Sequence, residues 1–545
     1  MSSSTATALG WLSKVRARLG AETWVVLSLV FVALGFWLRS RRFFISTIAF
    51  WNDEANWAIQ LMTKPVMAPS IRPVGFVAVS KWIAQTFGPT EVALRFLPWL
   101  ASIGASVIAI PLAKRLFRAP AARLFFVAVL ALHPLVIDLG KEFKPYTLSL
   151  FIHLCCLWLA IVYWDTGKRR FLASAIAVPL IGVLFAQDVV FALPALYLAL
   201  GFSALRARRH RHLLLIGLGV LSTLALLAAL YWFFWKYVTG PTGAGRRQVN
   251  GLSSAWWSAA YDLFYPGKIS NESRVSWLLR KWVEVVSFGG ERRDIWTPIG
   301  PLSAERLATV ASMDTLLWTL LALVGLACLI FRRRGRELLL LVSPVLVVFV
   351  FNSLKVWPLG AFRSDLFLLA YTPAWVAAAF DFQRTASEKR VGLWRQALPT
   401  VALVLVPLLA FERTWHHHKS GGGEFIKGVN ALIDLQGKDY NGGRETLILD
   451  GYLCVVWRYY QLYHPGHREL FRDLNHRFRK QCVKPWTQPV MARVKHVPGR
   501  ERFWLLLAKN QEMQLFTDGA PRGYQVLASR DIEQGQTLAV ALRRR

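Results

Sequence analysis

The chain has 545 residues, of which 54% are hydrophobic and 18% charged, with a mean hydropathy of +0.37. That balance excludes an ordinary soluble enzyme of this length, and the continuous runs of Leu, Val and Ala exclude a β-barrel, whose strands would alternate. The formal charge of +33 raises the question of nucleic acid, but the basic residues gather in short clusters between apolar runs, as in membrane proteins of fixed orientation. Nucleic acid is therefore not an expected partner. The surplus charge favours anionic membrane lipid or a phosphorylated substrate.

Eleven apolar runs predict membrane-crossing helices, at approximately 23–38, 96–113, 122–137, 146–164, 171–186, 189–205, 213–235, 315–331, 338–352, 366–380 and 397–411. Several are shorter than the roughly 20 residues a perpendicular helix needs, so their ends extend into polar flanks or the bilayer thins. Before the first run, Lys14, Arg16 and Arg18 precede no apolar core or cleavage site, which predicts an uncleaved first span.

With the N-terminus cytoplasmic, the inside loops carry Lys114, Arg115, Arg118 and Arg123, then Lys168 to Arg170, Arg206 to His212, Arg332 to Arg336, and Arg384 to Arg395. All are short and basic, as the positive-inside rule requires. The outside segments are Asp138 to Lys144, Gln187-Asp188 and the long stretch 236–314. Arg39, Arg41 and Arg42 break the pattern; either they snorkel to outer headgroups or the first span is misplaced.

An odd number of spans sends the C-terminus outside. The expected organisation is a transmembrane domain over 1–411 with outer loops 39–94 and 236–314, a linker over 412–423, and an extracytoplasmic α/β domain over 424–545. In that last part, helices are expected near 425–435 and 452–463, and strands at 446–449, 503–507 and 538–542. Cys155, Cys156 and Cys328 fall in spans, whereas Cys454 and Cys482 can pair if their domain is extracytoplasmic. The fold class is thus an all-α polytopic membrane protein with a small C-terminal α/β domain.

The first outer segment holds the most pointed chemistry. Asn56 to Met62 and Val74 to Phe87 have the spacing of amphipathic helices lying at the membrane surface, and Asp53 and Glu54 sit at the mouth of the first. Adjacent helical residues point about 100° apart, so these carboxylates cannot form a facing acid-base pair. Asp53 reads as a base for an incoming hydroxyl or as the cap of a helix starting at Glu54. Glu54 reads as a partner to an arginine.

At this point the chain resembles the GT-C membrane glycosyltransferases, which include protein O-mannosyltransferases and the aminoarabinose transferases that modify lipid A. The resemblance rests on Trp51 to Ala55, Arg72-Pro73, Thr90 to Pro98, Ala113 to Phe117, His133-Pro134, Lys141 to Tyr146 and Trp357 to Arg363, in that order. It implies a GT-C fold with about 11 transmembrane helices and inverting transfer of a sugar from a polyprenyl-phosphate donor to a cell-envelope lipid or glycan. Protein O-glycosylation is the alternative acceptor class, and a transporter or flippase of anionic envelope lipid the alternative function.

Under the same resemblance Asp53 lies at the catalytic centre, with Glu54 and Glu142 as further acidic candidates. Arg72, Lys141, Lys144, Tyr146, Lys355 and Arg363 are substrate-binding candidates. Glu142 with its lysines also reads as a salt-bridged turn at the interface, and Arg95 as a further phosphate contact or as the partner of Glu91 four residues earlier. The aromatic residues between 236 and 314 serve as interfacial anchors or as walls that stack on sugar. No cofactor is certain. A divalent cation on Asp53, Glu54 or Glu142 stays open, and His416 to His418 in a Gly-rich linker has no preorganised geometry for one. The expected location is a bacterial inner membrane, with the C-terminal domain in the periplasm.

Overall fold

The computed structural model describes residues 23–41, 43–44, 50, 52–68, 72–235, 281–282, 285, 313–354, 357, 365–381, 423–437, 445–449, 451–482, 502–508, 524–532 and 537–544. In chain order its helices are α1 (Thr23–Ser40), α2 (Asn52–Thr63), α3 (Val74–Phe87), α4 (Glu91–Leu116), α5 (Pro120–Leu132), α6 (Pro134–Leu139), α7 (Tyr146–Thr166) and α8 (Arg169–Phe185). Then come α9 (Leu193–Arg206), α10 (His210–Leu230), α11 (Met313–Phe331), α12 (Gly335–Ser353), α13 (Thr372–Ala379), α14 (Gly423–Gly437), α15 (Gly451–Leu462) and α16 (Arg468–Arg477). Two compact units divide the chain: Met1–Ser40, Leu97–Trp232 and Ala260–Trp415 in the first, Arg41–Phe96, Phe233–Ala259 and His416–Arg545 in the second.

The first unit is all-α and the chain is a multi-pass membrane protein. Among the described residues six helical stretches are long and apolar enough to cross a bilayer: Thr23–Ser40, Glu91–Leu116, Tyr146–Thr166, Gln187–Arg206, His210–Phe234 and Gly335–Ser353. All of the first ten apolar runs are helical, but the expected eleven crossings are not reached among the described residues. Two of the runs fall short because the helix breaks. The α5 helix stops at His133-Pro134 after 13 residues, about 20 Å of rise against a hydrocarbon layer of about 30 Å. Leu366–Ala370 is a single 3-10 turn before α13, which has 8 residues. The run at 397–411 lies outside the described residues.

Helix ends in this unit follow from proline and glycine. Pro120 and Pro134 open α5 and α6, where a missing N–H costs nothing. Gly167 closes α7 with φ +61° and returns its N–H to the Tyr163 carbonyl, a conformation that favours glycine. Close helix approach needs glycine too: a Cβ at Gly325 would lie 1.7 Å from the Trp375 carbonyl oxygen of α13. Arg39, expected to snorkel or to mark a misplaced span, is instead fully buried against α5. There it donates to the carbonyls of Ala131 and, at 3.2 Å, of Leu130. Those carbonyls lie at the last turn of α5 and lack helical partners.

The loops expected on one side of the membrane are joined by ion pairs. Asp165 takes Arg115 at 2.9 Å and Arg336, while Asp381 takes Arg334 at 2.9 Å and the backbone N–H groups of Arg118 and Ala119, each at 2.7 Å. Glu337 accepts from Arg334 at 2.9 Å and Arg336 at 2.6 Å. The basic loops after α4 and α11 therefore meet the end of α7 and Asp381, just after α13, at one end of the bundle.

In the second unit a five-stranded sheet runs in the order β2-β1-β3-β5-β4. The strands are β1 (Glu445–Leu449), β2 (Phe478–Cys482), β3 (Arg502–Ala508), β4 (Tyr524–Ile532) and β5 (Thr537–Arg544). β1 pairs parallel with β2 and β3, and β5 antiparallel with β3 and β4. Central β3 is buried continuously from Phe503 to Leu507, which explains its unbroken apolar sequence. The helix and strand positions expected near 425–435, 446–449, 452–463, 503–507 and 538–542 all appear. Strands β2 and β4 and helix α16 had not been anticipated, because Phe478-Arg479-Lys480-Gln481-Cys482 is too polar to stand out as a strand. Cys454 of α15 and Cys482 at the end of β2 form a disulfide across a Cα separation of 5.8 Å.

Candidate functional site

Helix α2 packs against α15 within the second unit, and that packing positions the predicted acidic pair. The helix opens at Asn52, so Asp53 and Glu54 occupy its first turn, where the exposed N–H groups and the helix dipole favour negative charge. Asp53 is thus inside the helix and not the residue that caps one beginning at Glu54. The two carboxylates have different surroundings, as the 100° separation requires. Glu54 is fully buried, whereas Asp53 keeps part of its surface.

Glu54 is held by Arg95 of α4 in a two-point pair, with Nε to Oε1 at 2.9 Å and Nη2 to Oε2 at 2.6 Å. The guanidinium also lies over the Phe50 ring at 4.8 Å. This replaces the expected Arg95–Glu91 pair one helical turn away. Glu91 instead accepts from the Tyr460 hydroxyl and meets His464 Nε2 at 2.7 Å, so it bonds to the C-terminal region. Tyr460 in turn receives the Phe50 N–H at 3.2 Å, and Tyr459 donates to the Pro89 carbonyl. Burial, reinforced by the nearby Glu91 charge, holds both tyrosine hydroxyls well above their usual range, so they stay donors.

Asp53 of α2 and Arg72, which precedes α3, lie close enough for their charges to interact. Burial pushes the Arg72 guanidinium down to about 10, and the Asp53 charge opposes that shift. Arg72 also sits over the Trp57 ring at 4.4 Å, which fixes a flat cation beside the partly exposed carboxylate. Beyond it α3 turns Phe76, Ser80, Ile83 and Ala84 inward and leaves Trp82 exposed, edge-on to Phe87 at 6.4 Å. Lys81 ties α3 back to the end of α2 by a 2.8 Å bond to the Lys64 carbonyl.

The other predicted acidic group lies in the first unit. Lys141 and Lys144 are buried, and Glu142 and Tyr146 are partly exposed. Asp138, just before them, is pushed up to about 7 by burial; Lys141 opposes the shift and Glu142 adds to it. Lys355 and Arg363 lie outside the described residues, as does most of 236–314; of its aromatic residues Trp282 is described, stacked on Trp375 at 5.2 Å.

A further buried polar group in that unit was missed at the sequence level. His153 of α7 meets the Tyr371 hydroxyl at 2.7 Å through Nδ1, and its Nε2 lies 3.4 Å from Asp188. Ser149 donates to the same Asp188 carboxylate, and Phe367 stacks on the imidazole at 4.7 Å. The sequence signal was partial: Ser149 and His153 are polar interruptions of the apolar run 146–164, which mark sites of interest inside a membrane, whereas Asp188 sits in the short gap between two runs. Among the described residues no three His, Cys, Asp or Glu side chains gather as a metal site.

No family model matches this chain, and no curated protein does. Among solved structures it is similar to ArnT from Cupriavidus metallidurans bound to undecaprenyl phosphate, at 15% identity and a TM-score of 0.48, over 96% of this chain and 98% of that one. It is similar to the apo state of the same protein at 14% identity and a TM-score of 0.48, with the same coverage of 96% and 98%. The Archaeoglobus fulgidus oligosaccharyltransferase in its apo form gives 11% identity and a TM-score of 0.46, over 90% of this chain and 70% of that one.

Proposed function

We propose that this protein is a membrane glycosyltransferase that moves a sugar from a polyprenyl-phosphate carrier to a lipid or glycan acceptor of the cell envelope, inverting the anomeric centre. The observation that carries this reading is the partly exposed Asp53 carboxylate beside the Arg72 guanidinium, in a segment that exposes Met67 in the turn after α2 and Trp82 and Phe87 on α3. Such a surface suits a substrate with a charged head and an isoprenoid tail. The ordered resemblance of 24–411 to GT-C enzymes supports the same class.

In the proposed step the acceptor oxygen attacks the anomeric carbon from the face opposite the phosphate. The new C–O bond forms as the bond to phosphate oxygen breaks. Asp53 takes the hydroxyl proton, and polyprenyl phosphate leaves carrying the bonding pair. Arg72 stabilises the charge that develops on it. Lys355 and Arg363 are further candidates for that phosphate, and Glu142, Lys141, Lys144 and Tyr146 for the sugar or acceptor. Glu54 acts through Arg95 and is a positioning residue. Acceptor hydroxyls on protein are the alternative within this chemistry.

The site is assigned to the outer face of a bacterial inner membrane. The basic loops joined at one end of the first unit support a cytoplasmic placement for that end. The Cys454–Cys482 bond supports an oxidising compartment for the C-terminal region.

Purified full-length protein, given radiolabelled polyprenyl-phosphate sugars and crude envelope acceptors, is expected to transfer label. Asp53→Asn is expected to lower transfer by about a hundredfold to ten-thousandfold, with an unchanged melting profile. Undiminished transfer by that variant overturns the assignment. A second reading, transport of anionic envelope lipid, is favoured by the buried His153–Asp188 pair, since ionisable groups inside spans often line transport paths. Lipid translocation that survives Asp53→Asn while no sugar is released would decide for it.

A further inference from the structure

The C-terminal region carries a second group of cations that the proposed reaction does not use. Arg468, Arg472 and His476 recur every four residues along α16. They therefore rise along one face, about 6 Å per step. With Gln461 of α15 and Asn475 they line a cavity of about 470 Å3, within the range of small-molecule sites.

The charges of that face are not spent internally. Among the described residues the side chains of Arg468, Arg472 and His476 enter no hydrogen bond or ion pair. The carboxylates of α16 point elsewhere. Each follows an arginine by one residue, about 100° around the helix, and Asp473 is engaged by Arg477 at 2.9 Å. Among the described residues no carboxylate lines the cavity. Asn475 donates from its carboxamide to the Phe471 carbonyl at 2.7 Å, so the wall of donors consists of two guanidinium groups one turn apart, an imidazole a turn further and the Gln461 carboxamide.

We propose that this cavity binds a phosphoryl group presented as a phosphate monoester or pyrophosphate, either on a lipid headgroup or free in solution. The preference for phosphoryl over carboxylate follows from the donor count. A carboxylate satisfies one guanidinium fork, whereas the terminal oxygens of a phosphate monoester receive both forks and leave an oxygen for His476. A phosphodiester has two free oxygens and satisfies the wall less well.

The test uses the full-length protein in detergent micelles, with inorganic pyrophosphate and dioctanoyl phosphatidic acid as probes in separate calorimetric titrations. Wild type is expected to bind at least one probe saturably, and Arg468→Gln/Arg472→Gln to weaken that binding tenfold or more. Pyrophosphate binding identifies a free anion as sufficient; binding of phosphatidic acid alone identifies the headgroup. Arg477→Gln removes a cation of the same helix outside the cavity, and should stay within twofold of wild type. Both altered arginines are exposed, so melting curves of the double variant should match wild type. Absence of saturable binding by wild type, binding by the double variant within twofold of wild type, or binding of dioctanoyl phosphatidylglycerol as tightly as phosphatidic acid overturns the proposal. Asp53→Asn is expected to keep this binding, so its outcome and that of the transfer reading are separable.

Discussion

Glu54 and Arg95, separated by 41 residues, form a two-point ion pair at 2.9 and 2.6 Å with both partners buried. It joins the first turn of α2 to the first turns of α4 and fixes the direction in which the neighbouring Asp53 faces. A buried pair of this kind is costly to break from one side, because the remaining charge has no water to turn to. Glu54→Gln is expected to destabilise the second unit by about 3–5 kcal/mol, read as a lower midpoint of thermal or protease-detected unfolding. Asp53→Asn, one residue away, should leave that midpoint in place. Equal stability of both variants would show that the pair carries no structural weight.

How far the sequence foretold this arrangement depends on the range of the interaction. Helices α2 and α3 were legible because apolar spacing along a helix is a local property, and the first ten apolar runs were legible for the same reason. Their lengths as crossings were not, since His133-Pro134 and the 3-10 turn at Leu366–Ala370 break runs that composition leaves continuous. Arg95 was matched with Glu91 because they are four residues apart; nothing in the local pattern names Glu54 as the better partner. The bond from Glu91 to Tyr460 spans 369 residues and was invisible for that reason. The ordered resemblance named Asp53 and Arg72 as separate candidates, but neither it nor the spacing stated that the two lie close together. The His153–Asp188 pair left only the trace of polar residues within apolar runs.

The disulfide between Cys454 and Cys482 closes a loop with a sequence separation of 28. Restricting an unfolded loop of that length is worth about 3.5 kcal/mol on the chain-entropy estimate. Cys482→Ser is expected to lower the unfolding midpoint of the C-terminal region, with dithiothreitol producing the same drop in wild type and no further drop in the variant. A reductant effect that persists in the variant would place the sensitive thiol elsewhere.

Arg72 depends on Trp57 for its orientation, since the guanidinium lies 4.4 Å from the ring centroid. A contact of this type contributes about 0.5–2 kcal/mol. Under the proposed reaction Trp57→Leu should raise the KM for the polyprenyl-phosphate donor by roughly 2- to 30-fold, with kcat little changed, because Trp57 is not assigned to the reacting atoms. Arg72→Lys keeps the charge but loses the flat, two-donor face. Its expected loss is larger and appears in kcat as well, where the leaving phosphate develops charge. A kcat loss in Trp57→Leu equal to that of Arg72→Lys would assign Trp57 a direct part in the chemistry.

Asp138 makes the stability of the folded chain depend on pH. Its folded-state value is raised to about 7, chiefly by burial, above the roughly 3.9 of an unfolded aspartate. The folded chain therefore binds the proton more tightly than the unfolded chain, and the stabilisation is complete below about pH 4. It is lost as pH rises toward 7 and is gone above it. Asn cannot titrate, so the midpoint of Asp138→Asn, relative to wild type, should rise between pH 4 and pH 7 and level off beyond. Lys141 opposes the shift by favouring the charged form, so Lys141→Met should move the end of the transition to higher pH. A constant difference between wild type and Asp138→Asn across that interval would show that Asp138 titrates outside it.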